Sequence, residues 1–323
     1  MITGKPYPIK GLIAYGCNIF HTIPNVPRTK EALKNLDFYM AVDTLPQDHV
    51  MWADVVLPEA TYLERYDELW SCGHKTPYIA LREPAIDPLY YSRPAWWMVR
   101  ELGLRLGLED FFKWQTAEEY LNERLKSIGL TVEKLREQNG ITIQKGKAYL
   151  AEFEAEKSSP FTTASGKVEF YSDALEKSKF DPMPKYEPTP DAPAGFFRLL
   201  YGRSPVHTFS RTQNTPVLNE LMAENEVWVN DEVAASLGLK QGDSVMVENQ
   251  EGVKSGPIKV KATPRIRKDC VYLIHGFGHD APGMTRAHKK GASDAMLQTK
   301  YKLDPISGGA GLRINFVKLV KGA

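Results

Sequence analysis

The stretch Gly202-Arg203-Ser204-Pro205-Val206-His207-Thr208-Phe209-Ser210-Arg211-Thr212-Gln213-Asn214 is crowded with hydrogen-bond donors: two arginines, a histidine, hydroxyls and amides. It follows an apolar run and precedes a helix signal, so it reads as a loop at the end of a strand. Donors of this kind suit a pyrophosphate and a polar heterocycle; the rival reading is a solvated loop. A second cluster, His275-Gly276-Phe277-Gly278-His279, joins two imidazoles to two glycines that let backbone approach a ligand closely. Its glycines disfavour the helix that would bring both rings to one face, so no metal ligand set is expected there. A third, Asp304-Pro-Ile-Ser-Gly-Gly-Ala-Gly311, is a glycine-rich loop without the G-x-x-x-x-G-K-[ST] pattern of a P-loop. A fourth runs from Asp54-Val-Val-Leu-Pro58 into Glu59, Thr61, Glu64, Arg65 and Asp67. Its carboxylates suit acid–base work or, more blandly, a solvated helix face with Glu64 and Arg65 exposed.

Other chemistries are excluded. The three cysteines, Cys17, Cys72 and Cys270, are far apart and form no C-x-x-C pair, against a zinc finger, an iron–sulfur cluster or a disulfide framework. Cys270 heads the apolar run CVYLI and reads as a buried hydrophobe. No G-x-S-x-G or H-E-x-x-H supports a hydrolase. Forty-one Lys+Arg against 40 Asp+Glu leave a net charge of +1, without the basic surplus of a nucleic-acid binder. With 42% hydrophobic and 25% charged residues over 323 positions, the chain is an ordinary globular one of about two domains. The opening MITGKPYPIK has no continuous apolar stretch of the signal-peptide kind.

The elements that must position these clusters divide at a proline-rich stretch, 180–195 (FDPMPKYEPTPDAPAG), which excludes a helix. Before it, 10–15 (KGLIAY) stops at Gly16-Cys17-Asn18. A helix follows, with Thr29 read as cap and Ala32, Leu33 and Leu36 as buried stripe. Then come 38–42 (FYMAV), stopping at Asp43, and 54–57 (DVVL). Strand, helix, strand predicts a parallel α/β sheet whose ligands sit beyond the carboxyl ends of the strands, where Asn18 and Asp43 fall. A helix after Ser92 and Pro94 carries Trp97, Leu102 and Leu106, and Thr116–Glu119 reads as a capping box. After the stretch the texture is short β runs: 196–201, 226–229, 244–248, 258–262, 270–274 and 312–319. Two short helices interrupt them, capped by Thr215 and Asn230, and the pattern argues for a closed barrel.

Taken together these segments resemble a family. Gly16-Cys17-Asn18, Leu36-Asp37-Phe38, Val42-Asp43, Ala53-Asp-Val-Val-Leu-Pro58 and Leu63-Glu64-Arg65 are similar to the G-x-N…L-D-F…V-D…ADVVLP…LER series of the molybdopterin oxidoreductases of the dimethyl sulfoxide reductase type. Residues 161–169 (FTTASGKVE) and Tyr171-Ser172 resemble its T-x-S-G-K-[IV]-E…YS segment. Residues 226–248 resemble its molybdopterin-dinucleotide-binding barrel. Residues 15–65, 77–87 (PYIALREPAID) and 202–214 look most like the catalytic subunits of thiosulfate and polysulfide reductases.

The resemblance implies a partial α/β cofactor-binding portion over 1–185, a linker over 186–195 and a double-psi β-barrel over 196–323. It implies molybdenum held by two molybdopterin guanine dinucleotides, and reduction of thiosulfate or polysulfide. The family's cysteine-rich 4Fe-4S segment and its molybdenum ligand have no counterpart here, so the chain looks like the carboxyl-terminal part of a longer subunit. Asn18 and Asp43 would face one guanosine, with Thr44 and the turn at Gln47 and His49 adding contacts. Arg203, His207, Thr208, Arg211, Thr212 and Asn214 would line pterin and pyrophosphate. His275, Gly276 and Gly278 would approach the second pterin, and Asp304 and Ser307 would close the site. Implied partners are the amino-terminal remainder of the subunit, an iron–sulfur electron-transfer subunit, a membrane anchor and a small sulfur compound, in a periplasmic complex. The rival expectations are a nucleotide-binding module without redox chemistry and a structural remnant without molybdenum, like the large subunit of NADH dehydrogenase.

Overall fold

The computed structural model describes residues 1–72, 76–143, 161–183 and 185–321; Pro184 of the proline-rich stretch lies outside them. Compactness groups residues 1–58 with 188–323 and sets 59–187 apart as a second unit. Pro188, inside the proline-rich stretch, is where the chain re-enters the first unit.

The first unit opens with strand β1 (Gly11–Tyr15), helix α1 (Ile19–Thr22), helix α2 (Val26–Lys34) and strands β2 (Phe38–Asp43) and β3 (Val55–Pro58). The strands pair in parallel in the order β1-β2-β3, with Ala14 opposite Ala41 and Val42 opposite Leu57. The middle strand is buried from Tyr39 to Asp43, as its unbroken apolar run requires. One face packs Ala14, Tyr39 and Ala41 against Phe20, Val26 and Leu33 of the helices. The cap of α2 differs from the sequence expectation. Asn25, at φ 61°, accepts the Arg28 amide and starts the helix a turn earlier, while Thr29 lies inside it and bonds back to the Asn25 carbonyl.

The second unit holds strands β4 (Trp70–Cys72) and β5 (Tyr78–Ala80), helices α3 (Ala95–Arg105), α4 (Ala117–Leu125) and α5 (Val132–Glu137), strand β6 (Ile141–Ile143) and helix α6 (Asp173–Lys177). Its core is Leu121, Leu125, Val132 and Leu135. The capping box at Thr116 and Glu119 forms as read. Helix α3 carries Trp97 and Leu102 as read, with Leu106 at its C-terminal cap, and buries Met98, Arg100 and Gly103. Arg100 is drawn in because its guanidinium donates to the Trp114 carbonyl at 2.6 Å and to Gln115.

The first unit then continues through β7 (Phe197–Gly202), α7 (Pro216–Leu221), β8 (Glu226–Val229), α8 (Asp231–Ser236), β9 (Ser244–Asn249), β10 (Lys254–Ala262), β11 (Cys270–Ile274), α9 (Asp294–Leu297), the hairpin β12 (Lys302–Leu303) and β13 (Ala310–Gly311), and β14 (Phe316–Lys321). Six of these strands close a barrel in the order β10-β8-β11-β7-β14-β9. Alternate residues fill it: Leu199, Val227, Val229, Val245, Val247, Val260, Val271, Leu273 and Val317 are fully buried. Burying each such side chain is worth about 1.5–3 kcal/mol, so the barrel is a firm base for the loops at its rim. Ala295 of α9 joins the core of the α/β sheet, tying sheet and barrel into one unit. Among the described residues no helix is long and apolar enough to cross a membrane.

Candidate functional site

The ends of β1 and β2 carry a closed hydrogen-bond chain. Asn18 caps α1 by accepting the Phe20 amide at 3.2 Å and donates its Nδ2 to Gln47 Oε1 at 2.7 Å. Gln47 Nε2 donates to both Asp43 oxygens, at 3.3 and 3.2 Å. Asp43 Oδ1 also accepts the amides of Thr44 (2.7 Å) and Leu45 (3.2 Å), which shapes the turn after β2. Asp43 Oδ2 keeps lone pairs to offer, and Thr44 is exposed. His49, fully buried, lies 3.8 Å from Asp43 Oδ2, and neither ring nitrogen is hydrogen-bonded among the described residues. Burial is the largest influence on its imidazole and pushes its pKa down, despite the nearby Asp43 and Asp48.

Loop 202–214 is partly turned in on itself. His207, buried, accepts or donates at Nδ1 with the Thr212 hydroxyl (3.2 Å) and donates Nε2–H to the Met222 carbonyl (2.7 Å). The same Thr212 oxygen accepts the Thr208 amide at 2.9 Å. Asn214 Oδ1 accepts the Arg286 amide at 2.8 Å. These three side chains, expected to line a cofactor, brace the loop, because a compact loop must satisfy its own polar groups. Arg203 stacks over the Phe209 ring at 5.1 Å, and Arg203, Thr208 and Arg211 are exposed.

Loop 275–279 packs on both regions. A Cβ on Gly276 would stand 2.1 Å from the Phe209 carbonyl oxygen, and one on Gly278 would stand 2.4 Å from the Ser293 amide nitrogen. Both have positive φ. The close approach expected toward a ligand is therefore an approach to the chain's own backbone. His275 Nδ1 lies 2.9 Å from both oxygens of fully buried Asp294, which Gln298 also holds. Burial works against a charged His275, but the hydrogen bond and charge of Asp294 outweigh it and raise its pKa. His279 Nδ1 lies 2.6 Å from Asp48 Oδ2, and His21 Nε2 lies 3.3 Å from the same oxygen. Burial alone would raise the pKa of the Asp48 carboxyl, but these imidazole bonds outweigh it and drive the carboxyl far below its usual range.

The structure thus gathers Asn18, Asp43, Thr44, His49, loop 202–214 and loop 275–279 in one unit. Asp304 and Ser307 sit apart from this network. Asp304 Oδ1 accepts the amides of Ile306 and Ser307 and the Ser307 hydroxyl, a self-contained exposed turn in the β12–β13 hairpin. The fourth cluster is structural: Glu64, only 5% exposed, accepts the amides of Thr61 and Leu89, and Arg65 bridges Glu59 and Asp67. It is neither a solvated helix face nor free for acid–base work.

Residues 197–315 match the family described as molydopterin dinucleotide binding domain, and residues 3–105 match molybdopterin oxidoreductase. The chain belongs to the molybdopterin oxidoreductase family. The thiosulfate reductase molybdopterin-containing subunit PhsA of Salmonella typhimurium is 30% identical over 95% of this chain and 43% of its own length. Dimethyl sulfoxide reductase DmsA of Escherichia coli is 28% identical over 97% and 42%. Acetylene hydratase from Pelobacter acetylenicus superposes with a TM-score of 0.81 at 24% identity, covering 99% of this chain and 45% of that one. The chain spans less than half the length of these relatives.

A molybdopterin dinucleotide is a polyanion joined to donor-rich heterocycles, and the residues fit such a group. Arg203 and Arg211 lie exposed on a braced loop, and Asp43 keeps an acceptor at a strand end. The His49 ring nitrogens, Gln213 Oε1 and His279 Nε2 are buried polar atoms without a hydrogen-bond partner among the described residues. Sequence reasoning missed His21, Asp294 and Gln298 as site residues, and nothing local marks them. His21 and Asp294 meet their partners Asp48 and His275 only through the fold, while Gln298 reaches Asp294 from four residues along, at the cap of the same helix.

Proposed function

We propose that this chain is the carboxyl-terminal part of the catalytic subunit of a molybdenum oxidoreductase that reduces thiosulfate or polysulfide. The observation that carries this reading is the convergence of the ends of β1 and β2 with loops 202–214 and 275–279 in one unit. The identity with the thiosulfate reductase subunit over 95% of the chain supports a sulfur compound as substrate. The cofactor in this reading is molybdenum with two molybdopterin guanine dinucleotides, which when bound supplies two-electron redox chemistry at the metal. Asp43 accepts paired N–H groups of a guanine through its less occupied oxygen. Arg203 and Arg211 make charge-assisted bonds to pyrophosphate. Asp294 raises the His275 pKa and so favours the protonated ring, whose outer nitrogen is a hydrogen-bond donor. The molybdenum ligand and the 4Fe-4S cluster belong to the part of the subunit that this chain does not span. An iron–sulfur subunit and a membrane anchor complete a periplasmic complex.

The test is to co-express the chain with a polypeptide supplying the rest of the subunit. Molybdenum and pterin per chain are measured, together with oxidation of reduced viologen by thiosulfate, polysulfide and dimethyl sulfoxide. Turnover with the sulfur compounds is expected from the complex and none from the 323-residue chain alone. A folded complex free of pterin, or one turning over only dimethyl sulfoxide, overturns the reading.

A further inference from the structure

A buried cluster beside the proposed pterin contacts has the makings of a separate site. His21, Asp48 and His279 are 5%, 7% and 1% exposed, and one ligand-type atom from each lies within 4.8 Å of the other two. Asp48 Oδ2 stands between the rings, 3.3 Å from His21 Nε2 and 2.6 Å from His279 Nδ1. Four-coordinate zinc with nitrogen and oxygen ligands near 2.0–2.2 Å needs ligand atoms about 3.3 Å apart. One edge of the cluster already has that length, and the others need shifts that side-chain torsions supply.

Each ligand is held in place by its own segment. Asp48 Oδ1 accepts the amides of Asp280 and Ala281, which aims the other oxygen at the rings. The backbone of His279 is fastened to the segment 288–290, its carbonyl accepting the Lys289 amide at 2.7 Å. His21 is carried by α1, whose cap is Asn18. The opposite nitrogens, His21 Nδ1 and His279 Nε2, are buried without a partner among the described residues. Neutral imidazoles can move their protons to those positions, freeing the inner nitrogens to ligate without net proton loss. The three residues also line a cavity of about 270 Å³, shared with Lys30, Lys254 and Lys289. Room for a further ligand therefore exists, and the lysines favour water or an anion there.

We propose that His21, Asp48 and His279 bind one divalent transition-metal ion of the zinc class, with its open coordination position facing this cavity. The two-histidine, one-carboxylate set is of the kind that ion takes. The site does not rest on the pterin reading, since all three ligands belong to this chain.

Zinc is titrated into the chelator-treated 323-residue chain against a chromophoric chelator, alongside His279→Gln and His21→Gln. One equivalent is expected to bind, at least about 100-fold more weakly in either variant, and to raise the unfolding midpoint of the unsubstituted chain. Cobalt in place of zinc is expected to give tetrahedral visible bands without the near-ultraviolet thiolate band that Cys17, Cys72 or Cys270 would produce. Absence of stoichiometric zinc binding, unchanged affinity in folded variants, or a thiolate band overturns the proposal. Should both variants fail to fold, the cobalt spectrum of the unsubstituted chain decides it.

Discussion

Replacing Gly276 with alanine tests the clamp between loop 275–279 and loop 202–214. Gly276 has φ +96°, and its added Cβ would lie 2.1 Å from the Phe209 oxygen, 2.4 Å from the Phe209 carbonyl carbon and 2.8 Å from the Ser210 nitrogen. Holding alanine in such a backbone conformation costs about 1–3 kcal/mol. The obstacles are backbone atoms, and they cannot swing aside as a side-chain tip would. Their loop is braced by the His207 bonds to Thr212 and Met222 and by Gln213, which donates to the Phe209 carbonyl itself. Forcing extra volume into such a place costs about 1–3 kcal/mol more. The combined loss of about 2–6 kcal/mol is a large share of the roughly 5–15 kcal/mol that keeps a typical domain folded.

Gly252, in the turn between β9 and β10, supplies the control, because it has φ +79° but nothing within 4 Å of its added Cβ. Gly252→Ala therefore reports the conformational strain alone, and the difference between the two variants reports the clash. Urea unfolding followed by tryptophan fluorescence should place Gly276→Ala at least about 1 kcal/mol below Gly252→Ala. Equal losses would show that the two loops yield freely to one another. The claim that loop 275–279 fixes the donor-bearing loop would then be wrong.

Arg211→Ala in the pterin-loaded complex should lower bound molybdenum and pterin by about tenfold or more, since each charge-assisted bond is worth about 1.5–3 kcal/mol; unchanged content in a folded variant would sink that role. Glu64→Gln should cost about 1–3 kcal/mol at neutral pH: burial alone would raise the Glu64 pKa, but the two amides it accepts outweigh burial and hold it below the ordinary range. A depressed folded pKa means this contribution is complete above the usual carboxylate range and is lost as pH falls through the folded value. The stability gap between the unsubstituted chain and the Glu64→Gln variant should therefore close in acid, and a gap independent of pH contradicts the assignment. Asn249→Ala should cost about 3 kcal/mol in urea unfolding, since the carboxamide serves Leu297, Thr299, Glu251 and Val253 from a buried position; a loss under about 1 kcal/mol contradicts it.

The barrel was legible because its information is local. All six β runs read from alternation and β-branched content became barrel strands, with end shifts of a few residues such as Lys254 for the start of β10. The parallel sheet was legible for the same reason, since Tyr39–Val42 is an unbroken apolar run. Caps were less secure: Thr29 and Asn25 both have capping side chains, and the choice turned on the left-handed conformation of Asn25, which no spacing rule reveals. Site residues were legible as a neighbourhood and not as roles. A histidine and a threonine on a donor-rich loop look alike whether they face a ligand or, as His207 and Thr212 do, each other. Gly276 and Gly278 were read as letting backbone approach a ligand, and the backbone they approach in the fold is that of Phe209 and Ser293.

The cluster at Asp48 shows why the remainder was hidden. Asp48 and His279 are 231 positions apart, so their bond has no signature at any local spacing. It depends on a chain of local events. Asp43 ends β2 and gathers the amides of Thr44 and Leu45, the turn that results places Asp48, and Asp48 then gathers the amides of Asp280 and Ala281. Two carboxylates in one short turn thus do the same physical task in succession, the first shaping its own loop and the second fastening the turn to a barrel loop. Disturbing Asp43 should therefore be felt at His279 as well as at any guanine contact. In the proposed reading, the guanine contact at the end of β2 and the residue that positions loop 275–279 are the same side chain.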